Sequence, residues 1–426
     1  MIAQTHQLPY SGNIHRTVLD NGIVLLIHTL THVRSVVIAG SVRAGALYEQ
    51  PAQNGLASLT AEALMRGTQS HDFDAIFSAL EDIGADLSFG TGHHQVGFGG
   101  KALAEDLPLL VELLNDTLRY PTFPERQLEN LMIQRITELR YSQQDNRYRA
   151  EEAFRKHLYP PEHPYHYSSY GTIDTLQTLS PADLKAFHKK HYGPAGMLLA
   201  VVGNVEPEEV VELIQESLGG WRNDLQPDEV DLPELIAPEK QQRIDVVLPG
   251  KTQSAIVMGT IGPSSFAEDY RAALLANSVL GEFGMMGRLG QVIREDMGLA
   301  YYAHSRLDGG VGPGAWSISA GVAPDKVDVT IEAAIHQVNQ MRETLISEDD
   351  LEDNLSYYTG SLPLRLESAG GIANQLIAME RYNLGLDFLV NYRELMYRFT
   401  RDDIQSTMLR YLDPERFVIS VAGPSA

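Results

Sequence analysis

Apolar residues near the start of the chain come in short bursts broken by turn residues. Val18, then residues 23–28, then 35–43 predict three strands, and Asp20-Asn21-Gly22 between the first two predicts a tight hairpin. The period then changes. In 55–68 (GLASLTAEALMRGT), Leu56, Leu59, Ala63 and Leu64 recur at helical spacing and Gly67 stands at the far end. That spacing predicts a helix with Ser58, Ala61 and Glu62 together on a different face. Ser70 is placed to cap a second helix running to Gly84, with Phe73, Ile76, Phe77, Leu80 and Ile83 as its buried stripe. Residues 87–103 predict a glycine-rich strand pair. Helices over 105–119 and 124–145, a proline- and tyrosine-rich loop at 158–171, a helix over 181–192 and a strand at 197–202 follow.

The second half repeats the first. SPADLKAFHKKHYGP from Ser180 matches TRDDIQSTMLRYLDP from Thr400: Asp183 aligns with Asp403, Leu184 with Ile404 and Pro194 with Pro414, each at an offset of 220 residues. Gly203 aligns with Gly423 at the same offset, and SVVIAG at Ser35 with SAIVMG at Ser254 at an offset of 219. A single offset kept from beginning to end indicates duplication. The expected organisation is a domain over 1–222, an acidic, proline-bearing linker over 223–240 and a second domain over 241–426.

Composition narrows the function. A chain of 426 residues exceeds one ordinary core, and with 43% hydrophobic and 21% charged residues it can bury substantial ones. A formal net charge of −23 argues against nucleic acid and against anionic lipid as partners. There are no cysteines, which removes disulfides, thiolate nucleophiles and cysteine zinc sites. The N-terminus lacks a basic region followed by an apolar run, and the longest apolar runs are strand-sized. The expectation is a cytoplasmic protein without a membrane span, a periplasmic location being left open.

The 55–68 frame closely resembles the zinc helix of the M16 (pitrilysin and mitochondrial processing peptidase-like) metallopeptidases, where GLAHxxEHM…GT is typical. In that family the inverted H-x-x-E-H motif supplies two zinc ligands and a general base. Placed on it, the histidine positions become Ser58 and Glu62 and the glutamate becomes Ala61. A hydroxyl is a poor zinc ligand, and a methyl group takes no proton from water. Glu138, 76 residues beyond Glu62, stands about where the family's downstream glutamate ligand lies, and reads as a helix-surface carboxylate. A divalent cation held by Glu62 and Glu138 is the minor alternative. FPERQLE from Phe123 and HPY from His163 extend the resemblance, which covers essentially the whole chain. It implies an α+β fold of two duplicated LuxS/MPP-like metallohydrolase domains, each a mostly antiparallel sheet covered by helices, forming half of a clam-shell chamber.

The second half carries GMMGRLGQVIREDMGLAYYAHS over 284–305. Met286, Leu289, Val292 and Ile293 predict a helix, Gly298 its C-terminal glycine, and 299–305 a strand. This is similar to the family's R-x6-Y element, in which an arginine and a tyrosine contact the substrate; the matching residues are Arg294 and Tyr301. A guanidinium can grip a carboxylate or carbonyl, and a phenol can donate to an oxygen gaining charge. Taken alone, the pair also reads as a favourable helix-end charge and an ordinary strand aromatic. The glycines at 281, 284, 287 and 290 lack a preceding parallel strand and a P-loop lysine, so nucleotide binding is rejected.

The histidines offer less. His93 and His94 are expected to alternate faces on a strand, so both cannot reach one metal. His188 and His191 lie at i, i+3 on a helix without an acidic third ligand, and His163 and His166 sit in the proline–tyrosine loop, where packing and capping roles are commoner. No G-x-S-x-G is present.

M16 enzymes made of two different subunits divide the labour between a zinc-bearing chain and a partner that keeps the arginine–tyrosine pair. The resemblance implies that this chain is such a partner, with no metal or cofactor of its own. Zinc then resides in a homologous second subunit, and the substrate is a peptide or unfolded polypeptide. A homodimer is an alternative left open for the isolated chain. The rival readings are a catalytically inactive structural or peptide-binding homologue, like the respiratory-complex core proteins that resemble this family, and a stand-alone hydrolase with unfamiliar ligands.

Overall fold

A computed structural model describes residues 8–282 and 287–424. β1 (His15–Val18) and β2 (Val24–Thr29) form the expected hairpin, with Gly22 at φ 90°. β3 (Ser35–Val42) and α1 (Leu56–Ala63) follow; α1 tightens to a 3-10 turn over Leu64–Arg66 before Gly67 ends it. α2 (Phe73–Asp82) is capped by Asp72, not Ser70: the Asp72 carboxylate accepts the Ala75 amide at 2.9 Å. Ser70 is engaged elsewhere. Its hydroxyl (3.3 Å), the Thr68 hydroxyl and His71 Nδ1 (3.0 Å) converge on the buried Asp116 carboxylate.

β4 (Asp86–Thr91) and β5 (Val96–Leu103) make the glycine-rich pair, and α3 (Leu107–Arg119) and α4 (Glu125–Ser142) come next. α5 (Asn146–Leu158) lies between the helix and the loop expected from sequence, where no element is predicted. Its apolar residues are few, yet Ala150, Phe154 and Leu158 fall one turn apart and are all buried, and Asp145 caps the Tyr148 amide at 2.8 Å. α6 (Ile173–Leu176), α7 (Pro181–His191), β6 (Leu198–Gly203) and α8 (Pro207–Leu218) close the first half. The second contains β7 (Gln242–Val247), β8 (Ser254–Ile261), α9 (Tyr270–Asn277), a π-helical segment over Gly290–Asp296, β9 (Ala300–Leu307) and β10 (Ala315–Val322). It ends with α10 (Val327–Glu343), α11 (Glu348–Arg365), α12 (Ala369–Arg381), α13 (Phe388–Met396), α14 (Arg401–Tyr411) and β11 (Val418–Gly423).

Two sheets result, and the duplication is visible in both. The first runs β1-β2-β6-β3-β5-β4 and the second β7-β11-β8-β10-β9. In each sheet one pair is parallel, β2 with β6 and β7 with β11, and the remaining pairs are antiparallel. β6 and β11 differ by 220 residues at both ends, α7 and α14 likewise, and β3 and β8 by 219. The capping boxes repeat as well, Ser180 with Asp183 and Thr400 with Asp403. The fold is α+β, two sheets each covered by helices.

The compact units do not follow a single cut of the chain. One comprises Met1–Thr137, Ser168–Asp231 and Leu362–Tyr392; the other comprises Glu138–Tyr167, Leu232–Ser361 and Arg393–Ala426. Helix α12, from the second repeat, therefore packs on β6 and β3 of the first sheet, while α5, from the first repeat, packs on β11 and β8 of the second. Because β6 corresponds to β11 and β3 to β8, the two repeats trade equivalent helices. Each swapped helix supplies the apolar cover its adopted sheet needs: Ile372, Ala373, Leu376 and Ile377 are buried in one unit, and Phe154 and Leu158 join Val257, Ile261, Val418 and Ala422 in the core of the other.

Candidate functional site

Helix α1 is fixed from its N-terminus. The Glu49 carboxylate accepts the Gly55 amide at 3.0 Å, the Ala57 amide at 2.5 Å and the Asn54 side-chain amide at 3.3 Å, setting an acid on the positive end of the helix. Burial nevertheless raises its pKa to about 7, against the opposing pull of those hydrogen bonds. Gly55 has φ 96°, and a Cβ there would lie 2.8 Å from Gly171 Cα; Gly171, at φ 77°, would place its own Cβ 2.6 Å from the Asn54 carbonyl oxygen. Two glycines therefore let the chain before α1 and the chain after the proline–tyrosine loop touch backbone to backbone.

The helix is buried nearly all round, which corrects the two-faced expectation. β4 packs on one side and α7 on another, so Ser58 is 3% exposed and Ala61 fully buried, like the leucines beside them. Glu62 alone is partly exposed, and it is held: its carboxylate forms an ion pair with Arg135 of α4. The guanidinium is 14% exposed, and its central carbon lies 4.9 Å from the Tyr170 ring centroid. Glu138 lies exposed on the same helix three residues beyond Arg135, and its backbone carbonyl accepts the Ser142 hydroxyl at 3.0 Å.

Zinc does not fit this set. Its donors would be a buried hydroxyl, a methyl group that donates nothing, and a carboxylate already neutralised by a guanidinium. Among the described residues no group of three histidine, aspartate or glutamate side chains could hold a metal.

The second constellation is built differently from the expected α-helix. Over Gly290–Asp296 the turns are π-helical, the Met297 amide bonding to the Val292 carbonyl at 3.0 Å, and the Leu299 amide closes the helix end on the Ile293 carbonyl, six residues back, at 2.9 Å. Leu289 and Ile293 are buried as predicted and Val292 half-buried, while Met286 and Gly284 lie outside the described residues. Gly298 takes φ 61° and turns the chain into β9. This widened turn leaves Arg294 exposed with its guanidinium carbon 5.8 Å from the Tyr301 ring centroid, and Tyr301 is 79% exposed. The Glu295 carboxylate stands 3.6 Å from Arg294 Nε. Tyr302, the next residue of β9, faces the other way, half-buried under Arg147 of α5, and burial raises its pKa.

The histidines serve packing. His93 and His94 lie in the turn between β4 and β5, not on a strand, because β4 ends at Thr91 and β5 begins at Val96. His188 Nε2 is 2.8 Å from the Leu118 carbonyl, which makes that nitrogen the donor, and the ring contacts Phe123 and Tyr192. His191 sits against Tyr48 and Phe187. Burial lowers both pKa values to about 4, so both rings are neutral near pH 7. His163 Nδ1 accepts the Tyr165 amide, and His166 Nδ1 is 2.8 Å from the Tyr159 carbonyl, so both organise the loop.

Two residues of the site, Glu49 and Arg135, have no clear mark in the sequence pattern. Glu49 carries no local signal, since it acts on amides up to eight residues away through a bend. Arg135 had a faint one: it is one turn before Glu138 on the same helix, but its pairing with Glu62 spans 73 residues.

Residues 24–161 match the family model for insulinase (peptidase family M16), and residues 178–356 match that for the peptidase M16 inactive domain. The chain belongs to the M16 peptidase family. An uncharacterized zinc protease of Streptomyces coelicolor is 24% identical over 375 residues, covering 86% of this chain and 80% of that protein. One from Mycobacterium tuberculosis is 24% identical over 416 residues, covering 96% and 93%. Among solved structures, a peptidase M16 inactive domain from Pseudomonas fluorescens superposes with a TM-score of 0.90 at 23% identity, covering 97% of this chain and 98% of that one. A protease from Helicobacter pylori gives 0.89 at 18%, covering 98% and 100%. This M16 member thus shares the family's fold over nearly its full length, and no helix among its described residues is long and apolar enough to cross a membrane.

Proposed function

We propose that this chain is the metal-free subunit of a two-chain M16 endopeptidase and contributes substrate binding and transition-state stabilisation to a zinc-bearing homologue. The observation that carries the reading is a contrast. At α1 the motif positions hold Ser58, Ala61 and a Glu62 neutralised by Arg135, whereas Arg294 and Tyr301 stand side by side and exposed. Relatives named as zinc proteases, and a structural neighbour named as an inactive domain, are consistent with a family in which some chains keep the metal and others do not.

In this reading the Arg294 guanidinium grips a carbonyl or carboxylate of the bound peptide with two parallel N–H donors. The Tyr301 phenol donates a hydrogen bond to the oxygen that gains negative charge as the carbonyl becomes tetrahedral. A zinc-bearing partner would provide the activated water that attacks the carbonyl these two residues hold. The test is reconstitution with a homologue carrying intact H-x-x-E-H. Arg294→Ala and Tyr301→Phe are each expected to lower the mixture's peptidase kcat/KM by roughly a hundredfold to a thousandfold, the range for loss of one group that binds developing charge. Unchanged activity in both variants would instead assign the chain a structural or peptide-holding role.

A further inference from the structure

The first sheet has a floor of small residues, three of them glycines, at its outer edge. In the register of β3, β5 and β4, Ser41 pairs with Gly97 and Gly97 with Gly90; the adjacent row on the same face is Ala39, Gly99 and Ser88. Helix α1 lies on the opposite face, since Thr91, one step out of phase with Gly90, donates its hydroxyl to the Ala57 carbonyl. Helix α12 covers the inner strands β6 and β3 of the small-residue face. Beyond it, over the glycines, opens a cavity of about 520 Å³.

The charged wall of this cavity is Arg381, the last residue of α12. Its Nη2 donates to Ser41 Oγ at 3.0 Å, and among the described residues no carboxylate pairs with it. The adjacent acid, Glu380, is already engaged by Arg16 at 2.7 Å. Burial pulls the Arg381 pKa down, and only the Tyr382 phenol opposes that. A largely desolvated guanidinium without an anion stands out in a chain of net charge −23. The Asn374 and Gln95 amides and the apolar Ile377 and Ala378 also line it, with Gly40 and Phe98 of the sheet.

We propose that this cavity binds the C-terminal carboxylate of a peptide. The planar guanidinium fork matches a carboxylate. A glycine floor lets an extended main chain lie against the sheet where any side chain would hold it off. The two amides offer donors and acceptors to that main chain, and Ile377 and Ala378 give the terminal side chain an apolar contact. A phosphate, with its higher charge, calls for more than one cation, and among the described residues Arg381 is the one cation lining the cavity. The proposal rests on reading the chain as a peptide-handling protein, but it concerns a face that does not carry α1, Arg294 or Tyr301.

Titration calorimetry on the isolated full-length chain tests it, with no partner and no peptidase readout, so failure here and failure of the proposed activity are told apart. The probes are N-acetyl-Ala-Ala-Leu with a free carboxylate, its C-terminal amide, and an amide peptide ending in glutamate. The free acid is expected to bind at least tenfold more tightly than either amide, and Arg381→Gln to lower its affinity at least tenfold. Gly97→Val and Gly99→Val fill the floor and are expected to abolish binding with the melting temperature retained, because a Cβ at either meets nothing closer than 3.8 Å. Equal binding of acid and amide, undiminished binding to the valine variants, or displacement by inorganic phosphate at concentrations equal to the peptide would each overturn the proposal. Equal binding of the glutamate-ended amide would overturn the assignment to a chain terminus.

Discussion

The Arg135 guanidinium is ion-paired with the Glu62 carboxylate, at the position where the family frame has its second zinc-binding histidine. Against the family frame, α1 carries Ser58, Ala61 and Glu62 where two histidines and a glutamate are typical, and the ion pair places a fixed cation on the one acid among them. A fixed cation now neutralises the one acid that remains in the motif, stacked on Tyr170 and mostly withdrawn from water. Two unit charges about 4 Å apart interact by about 4 kcal/mol at an effective dielectric of 20, and a divalent ion beside a guanidinium meets about twice that in repulsion.

Rebuilding the motif should therefore be insufficient on its own. Ser58→His, Ala61→Glu and Glu62→His together are expected to give only weak zinc binding while Arg135 remains. Adding Arg135→Leu is expected to tighten zinc by roughly tenfold or more, as removal of about 1.4 kcal/mol or more of repulsion requires. Zinc titration of the two variants, with melting curves to confirm folding, checks this. Equal affinity in both would remove Arg135 from the explanation.

Glu49 makes stability depend on pH in an unusual direction for a carboxylate. Its folded pKa of about 7 lies above the ordinary 4.5, so the folded protein holds a proton that the unfolded chain has released. The contribution is fully present below about pH 4.5 and is lost as pH rises toward 7, amounting to about 3 kcal/mol at most. His188 runs the other way: burial lowers its pKa to about 4, so its contribution is lost as pH falls from 6.5 toward 4. Urea midpoints of the parent and of Glu49→Gln between pH 4.5 and 8 separate the two. Relative to the parent, the glutamine variant should gain stability as pH rises, and a constant difference would contradict the assignment.

Gly55→Ala should destabilise the start of α1. The residue would have to hold φ 96° with its Cβ 2.8 Å from Gly171 Cα. Left-handed strain and backbone overlap together cost about 2–4 kcal/mol, readable as a lowered urea midpoint. An unchanged midpoint would mean that the contact between the two glycines is not required.

Local patterns were readable from sequence wherever chemistry and structure lie within a few residues of each other. The Asn21-Gly22 hairpin, the helical spacing at Leu56 and Leu59, and the duplicated capping boxes at Ser180 and Thr400 are of this kind. The cap of α2 was misplaced by two residues because Asp116, 46 residues beyond Ser70, claims the serine hydroxyl. Helix α5 was missed because a charged helix shows only Ala150, Phe154 and Leu158 to its core, and the sheet it covers belongs to the other repeat. The π-helical turns before Gly298 were invisible because their apolar spacing fits an α-helix nearly as well. Arg294 and Tyr301 lie seven residues apart, so their adjacency follows from local sequence, whereas only tertiary folding brings Arg135 to Glu62.

The most direct measurement is zinc content and peptidase activity of the purified chain, alone and mixed with a homologue that carries H-x-x-E-H. The account predicts no stoichiometric zinc and no cleavage by the chain alone, with activity appearing in the mixture and falling in Arg294→Ala. One tightly bound zinc per chain, with peptide cleavage in the absence of any partner, would contradict it.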